Sequence, residues 1–169
     1  MQSSQRIGLT MIVVAITILT TLEVSAPAAR AETDPDAKAY LWAAQACYLE
    51  ATWKESDCVA LLYVTRKRAR RVSRPWVDVL RDYSAISGNT PRAQEIRAFP
   101  WGDIPDKSEK FNERWRKLRE LVVEVTEGKH KNPCPHAEHW GGTMDHARGR
   151  MVPARCAVST ANTFYVVKR

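Results

Sequence analysis

The sequence predicts an α+β fold in which helices dominate, with a small irregular β portion near the C-terminus. Two observations predict it. Apolar residues recur at the helical period through most of the stretch from residue 35 to residue 126. After Gly128 the pattern changes, and Pro133, Pro135, Gly141, Gly142 and Pro153 forbid long helices. Helices first and short strands last is an α+β order.

The N-terminal segment reads as an address. Arg6 supplies a positive start, Ile7 to Leu22 carries no charge, and Ala29-Arg30-Ala31 offers a small-x-small cleavage site. Those features in that order make a secretory signal peptide over residues 1–31. The uncharged run is slightly shorter than the ~20 residues that span a bilayer. The expected product is one domain over residues 32–169, periplasmic or secreted, monomeric, and without stable membrane insertion after cleavage.

Four cysteines follow the signal: Cys47, Cys58, Cys134 and Cys156. An even number in a small exported domain reads as two disulfides. Of the three connectivities, Cys47–Cys58 with Cys134–Cys156 is favoured, because each pair brackets a short connection. A zinc site among Cys134, His136, His139, His146 and Cys156 is the rival. No standard zinc spacing appears there, so neither metal nor other cofactor is expected. The net charge is +7, and loss of Arg6, Arg30 and Glu23 with the signal lowers it by one, to +6. A basic exported protein is drawn to anionic polymers such as cell-wall material. Export makes nucleic acid a poor candidate partner.

The first helix is expected from Pro35 to Ala51, with Leu41, Ala44, Tyr48 and Ala51 at helical spacing. Ser56 or Asp57 then caps a second helix that runs through Arg71, its Arg66, Lys67, Arg70 and Arg71 forming a wet basic face. Such a face also suits contact with an anionic wall polymer. Pro75 opens a third helix with Trp76, Val79, Leu80 and Tyr83 as its apolar residues. Ser87 to Pro91 reads as loop. In the turn-rich stretch Phe99 to Pro105, Phe99 and Trp101 either plug the core or line a groove. Ser108 caps the fourth helix, whose stripe is Phe111, Trp115, Leu118, Val122 and Val125, and Gly128 ends it. Short strands are expected around Glu138–Trp140 and Phe164–Val167.

Glu50 stands out on physical grounds. It falls near the C-terminal, negative end of the first helix, and its helical neighbours Ala46, Cys47 and Trp53 are not cationic. The helix dipole and desolvation both favour the neutral acid there. A carboxylic acid that keeps its proton can protonate the leaving oxygen of a glycosidic bond. A surface carboxylate at a frayed helix end is the plainer reading of the same pattern.

The segment Ala46-Cys47-Tyr48-Leu49-Glu50-Ala51-Thr52-Trp53-Lys54-Glu55, followed by the helix Val59–Arg68, resembles the opening motif of the SleB-type cell-wall hydrolases, the spore-cortex-lytic family. There a helix ends in Glu-Ala, a short turn carries a second Glu, and an aliphatic helix ends near an Arg. His139-Trp140 resembles the family's histidine–aromatic strand, and Ala161-Asn162-Thr163-Phe164-Tyr165 its closing Gly-Asn-His-x-Phe-Tyr segment. The likeness spans most of residues 32–169 through short motifs. It departs at Leu49, where the family has Gly, at Thr52-Trp53, where it has Arg-Gly, and at Thr163, where it has His.

The resemblance implies a lysozyme-like single domain that cuts the MurNAc–GlcNAc linkage of peptidoglycan, as a lytic transglycosylase or muramidase, with Glu50 catalytic. A transglycosylase needs no second carboxylate, unlike the paired acids of ordinary glycosidases. If water is the nucleophile, Glu55, Asp57, Glu138 and Asp145 are available. Asp57 suits a helix cap better, and Asp145, in the loop after Gly141-Gly142, is the better reserve. Trp140 and His139 suit a sugar face, Trp101 is a further groove candidate, and Asn162 and Tyr165 suit orientation of Glu50 or of an acetamido group. Each has a structural alternative: a buried Trp, a turn Asn, a core Tyr. A wall amidase, or a non-catalytic peptidoglycan-binding or inhibitor protein on the same scaffold, are the competing functions.

Overall fold

The structure is a computed structural model that describes residues 35–51, 53–141, 151–154, 156 and 162–167. The expected signal segment lies outside the described residues, as do Thr52, Asp145, His146 and Ala161. Among those described there are five α-helices: α1 (Pro35–Ala51), α2 (Glu55–Val72), α3 (Trp76–Tyr83), α4 (Pro91–Arg97) and α5 (Glu109–Thr126). A 3-10 turn, Ala85–Ser87, separates α3 from α4. Three short strands follow: β1 (His139–Gly141), β2 (Met151–Pro153) and β3 (Thr163–Val167). The predicted mainly helical α+β class is the one observed.

Local chemistry explains most of the boundaries. Ser108 caps α5 by accepting from the Phe111 amide. Gly128, just past the helix, has φ +81, a conformation that costs glycine little. Thr90 accepts from the Ala93 amide and Pro91 fills the first turn of α4. Composition alone reads loop up to Pro91 and passes over this cap-plus-proline start. Helix α2 begins earlier than expected, with Lys54 at the cap position and no side-chain cap bond. Ser56 and Asp57 therefore sit within its first turn, and Asp57 is buried.

Helices α1, α2 and α5 pack around one core. Its largest fully buried side chain is Trp115, whose indole nitrogen donates to the Pro100 carbonyl. Tyr48, Trp53, Phe99, Phe111 and Trp115 form an aromatic cluster with ring centroids 4.7 to 6.4 Å apart. Phe99 is thus a core plug. Trp101 stays partly exposed, its ring 5.2 Å from the Arg119 guanidinium. The turn-rich stretch is fixed from α5, because the Asn112 side chain both accepts from the Ile104 amide and donates to the Ile104 carbonyl. Gln45, buried in α1, donates to the carbonyls of Arg97 and Phe99.

The β portion is an antiparallel sheet in the order β1-β3-β2. His139 pairs with Tyr165, Trp140 with Phe164 and Gly141 with Thr163; Val152 pairs with Val166 on the other side. Phe164 joins a second apolar cluster with Ala60 and Val64 of α2, Cys134 and Ala137. Both disulfides have the favoured connectivity. Cys47–Cys58 ties α1 to α2, and Cys134–Cys156 ties the start of the β portion to the segment after β2, with Cα atoms 5.1 and 4.8 Å apart. No helix among the described residues is long and apolar enough to cross a membrane.

Three of the four basic residues in the run on α2 are engaged within the fold rather than left wholly wet. Arg66 donates to the Val125 and Thr126 carbonyls at the C-terminal end of α5. Lys67 donates to the Pro135 and Ala137 carbonyls, and Arg71 pairs with Glu138 at 2.8 Å. These side chains hold α2 to its neighbours. A cation also suits the negative end of a helix, which is where Arg66 sits on α5.

Candidate active site around Glu50

Glu50 is the penultimate residue of α1 and is partly buried. The chain places three groups on it. The Ser84 hydroxyl donates to Oε1 at 3.0 Å, and the Ala85 amide donates to the same oxygen at 2.7 Å. The Asn162 side-chain amide donates to the Glu50 backbone carbonyl at 2.8 Å. An amide N–H can only donate, so Oε1 is an acceptor in this arrangement. Oε2 has no hydrogen-bond partner among the described residues. The Asn162 bond also satisfies a carbonyl in the last turn of α1 that has no partner inside the helix.

The acid lies on a ring of contacts. Ser84 follows Tyr83, a large apolar side chain that is well exposed, at 54%. The Arg68 guanidinium of α2 lies over the Tyr83 ring, 3.5 Å from its centroid. Arg68 Nη1 lies 2.7 Å from His139 Nδ1. Since Arg can only donate, Nδ1 accepts, and the His139 proton sits on Nε2. Burial first, and the neighbouring Arg68 charge second, push the His139 imidazole below its ordinary value. From His139 the ring returns through β1 and β3 to Asn162, which sits next to the paired residue Thr163.

Of the expected site residues, Glu50 and Asn162 are in direct contact, and His139 reaches the same ring through Arg68. Trp140 is partly buried and packs against both apolar clusters, so it is partly a wall of the core. Tyr165 is fully buried, a packing position rather than a face turned to ligand. Trp101 belongs to a different groove of about 420 Å³ with Arg116, Arg119, Glu120, Val123 and Glu124, none of them on the Glu50 ring. Asp145, the reserve carboxylate, lies outside the described residues. Glu138 is occupied by Arg71, and Glu55 lines a groove of about 260 Å³ with Trp53, Arg114, Lys117 and Leu118.

A third groove, about 360 Å³, is lined by Arg66, Arg70 and Arg74 with Trp76. None of the three grooves includes Glu50, so concavity does not single it out; what distinguishes it is its hydrogen bonding to Ser84 and Ala85, which follow the exposed Tyr83 in sequence. Sequence reasoning passes over Ser84, Ala85 and Tyr83 as site residues, and it reaches Arg68 only as the end of a motif. Two residues of the rival zinc set, Cys134 and Cys156, are bridged to each other, and no metal-holding cluster of His, Cys, Asp or Glu occurs among the described residues. Compared with protein-family models, with curated proteins and with solved structures, the chain matches none.

Proposed function

We propose that this protein cleaves the glycan strands of peptidoglycan, with Glu50 as general acid and base. The observation that carries the reading is the Glu50 carboxyl group, fixed through Oε1 by two donors, with Oε2 left without a partner among the described residues. A fixed acid beside an exposed aromatic ring is the minimal equipment for protonating a bound sugar's leaving oxygen. The likeness of the Glu50 and Asn162 segments to SleB-type motifs supports the same reading. So does the expectation of an exported chain, to which two disulfides add weight.

In the transglycosylase form, Glu50 Oε2 gives its proton to the glycosidic oxygen as the C1–O bond breaks. The same carboxylate then takes the proton of the muramyl C6 hydroxyl as O6 bonds to C1, which regenerates the acid and leaves an anhydro end. Water in place of that hydroxyl gives a reducing end. Ser84 and Ala85 hold the carboxyl group in place throughout, and Asn162 fixes the backbone that carries it. An amidase using a cysteine nucleophile has no thiol to use, because all four cysteines are bridged.

One observation favours a second reading, a non-catalytic peptidoglycan-binding protein. The same two donors let Glu50 serve as a cap on the 3-10 turn. Digestion of purified sacculi followed by muropeptide separation distinguishes the two. Anhydro or reducing ends formed by wild type support cleavage; sacculus binding without new ends at high protein concentration supports the second reading.

A further inference from the structure

Arg68 is held in an unusual way for a surface arginine. Its guanidinium lies over an exposed tyrosine ring at 3.5 Å, and Nη1 is tied to His139 Nδ1 at 2.7 Å. The three atoms Nε, Nη1 and Nη2 carry five donors in a fixed fork. Only one donor is used among the described residues. Two other cations on α2 are engaged within the fold: Lys67 on backbone carbonyls and Arg71 on Glu138. Glu138, the carboxylate closest in sequence to His139, is thus balanced by Arg71. His139, with its proton on Nε2, adds one more donor beside the fork.

Ordering a long side chain forfeits rotamer freedom. Stacking on tyrosine and bonding to histidine fix the plane and, among the described residues, leave the bidentate edge unmatched, which is the geometry that recognises a carboxylate. Tyr83 then does two things. It braces the guanidinium, and through the adjacent Ser84 it sits one residue from the group that holds Glu50.

We propose that Arg68, braced by Tyr83 and His139, is a carboxylate-binding subsite beside Glu50, and that it selects glycan strands carrying free carboxylates over neutral ones. This rests on the glycan reading of the Glu50 site for its ligand class, but not on cleavage. On a peptidoglycan strand the carboxylate has two sources of one chemistry. It is either the lactyl carboxylate of a muramyl residue without peptide, or a carboxylate of the stem peptide.

The test is binding to the full exported chain by calorimetric titration, with three soluble probes of matched length. They are a chitooligosaccharide, a peptide-free muramyl-containing oligosaccharide, and a peptide-bearing one. The expected result is that at least one carboxylated probe binds about tenfold tighter than the neutral probe. Methyl esterification of its carboxylates should remove that preference. The preferred probe identifies the source. Arg68→Gln should abolish the preference, so that carboxylated and neutral probes bind alike. Tyr83→Ala should weaken it, and Tyr83→Phe, which keeps the ring, should retain it. Equal binding of neutral and carboxylated probes by wild type overturns the proposal, as does an unchanged preference in folded Arg68→Gln. The esterification comparison uses wild type alone, so it decides the matter even where a variant fails to fold. A wild-type protein that discriminates yet forms no new ends refutes cleavage and keeps the subsite.

Discussion

Helix α2 has two sides held by different forces. Toward α1 and α5 it is packed: Val59, Leu61 and Leu62 enter the core that contains Trp115 and Val122. Toward the β portion it is stapled. Apart from Ala60 and Val64 against Phe164, its bonds there are Lys67 to carbonyls, Arg68 to His139 and Arg71 to Glu138. Packing is non-directional and scales with apolar area, whereas each staple depends on one geometry and on charge. The comparison teaches where chemistry fits. A packed side tolerates no open edge, whereas the stapled side carries polar groups, Arg68 and His139 among them.

The largest effect should come from the packed side. Trp115→Ala deletes the largest buried side chain and orphans the Pro100 carbonyl. We expect a loss of about 3–5 kcal/mol in denaturant unfolding, with the whole helical signal lost in one transition. A small loss would mean the core is centred elsewhere. Next comes the stapled side. Replacing Cys134 and Cys156 together by serine opens a bridge spanning 22 residues. The expected cost is about 2–4 kcal/mol. Hydrogen exchange should rise in β1 and β3 well before it rises in α1 and α5. Uniform loss of protection would erase the distinction between the two sides.

The smallest effect is electrostatic. The His139 imidazole is held below its ordinary value, first by burial and then by Arg68. The unfolded chain therefore binds more protons than the native state as pH falls through about 6.5. Stability present above that pH should decline below it, and stop declining once the native imidazole is also protonated. Because the ring is only partly buried, the decline is modest, and a thermal melt series from about pH 8 to about pH 5 will read it. His139→Gln should flatten that part of the profile; an identical profile in the variant would place the titrating group elsewhere.

Much of the helical half is legible in the sequence because burial writes a period into it. The stripe through Phe111, Trp115, Leu118, Val122 and Val125, its Ser108 cap and its terminal Gly128 all appear as expected. So does α1. The miss at α4 is chemical: Thr90-Pro91 is a helix start, yet proline within a polar run reads as loop when composition is weighed before capping. Strand β2 escapes the sequence because three residues ending in Pro153 carry no alternation to read. Tyr83 falls on the expected apolar face of α3, but it is exposed and meets Arg68 instead.

The candidate site is legible only in its residue types. Glu50 announces itself by its place at a helix end, and Asn162 by a motif. Their partners do not. Ser84 and Ala85 lie 34 and 35 residues from Glu50, Asn162 lies 112 away, and Arg68 lies 71 from His139. No spacing rule reaches that far. Only the return of α3 beside α2, and of β3 antiparallel to β1, brings them together.

The most direct test is Glu50→Gln. The amide keeps an oxygen that can accept from Ser84 and Ala85, so the fold and its thermal midpoint should be nearly unchanged, while the exchangeable acid proton is gone. Turnover of purified sacculi, followed by release of soluble muropeptides, should fall by about 10²-fold or more. Release at the wild-type rate from the folded variant would contradict the assignment of Glu50 as the acid.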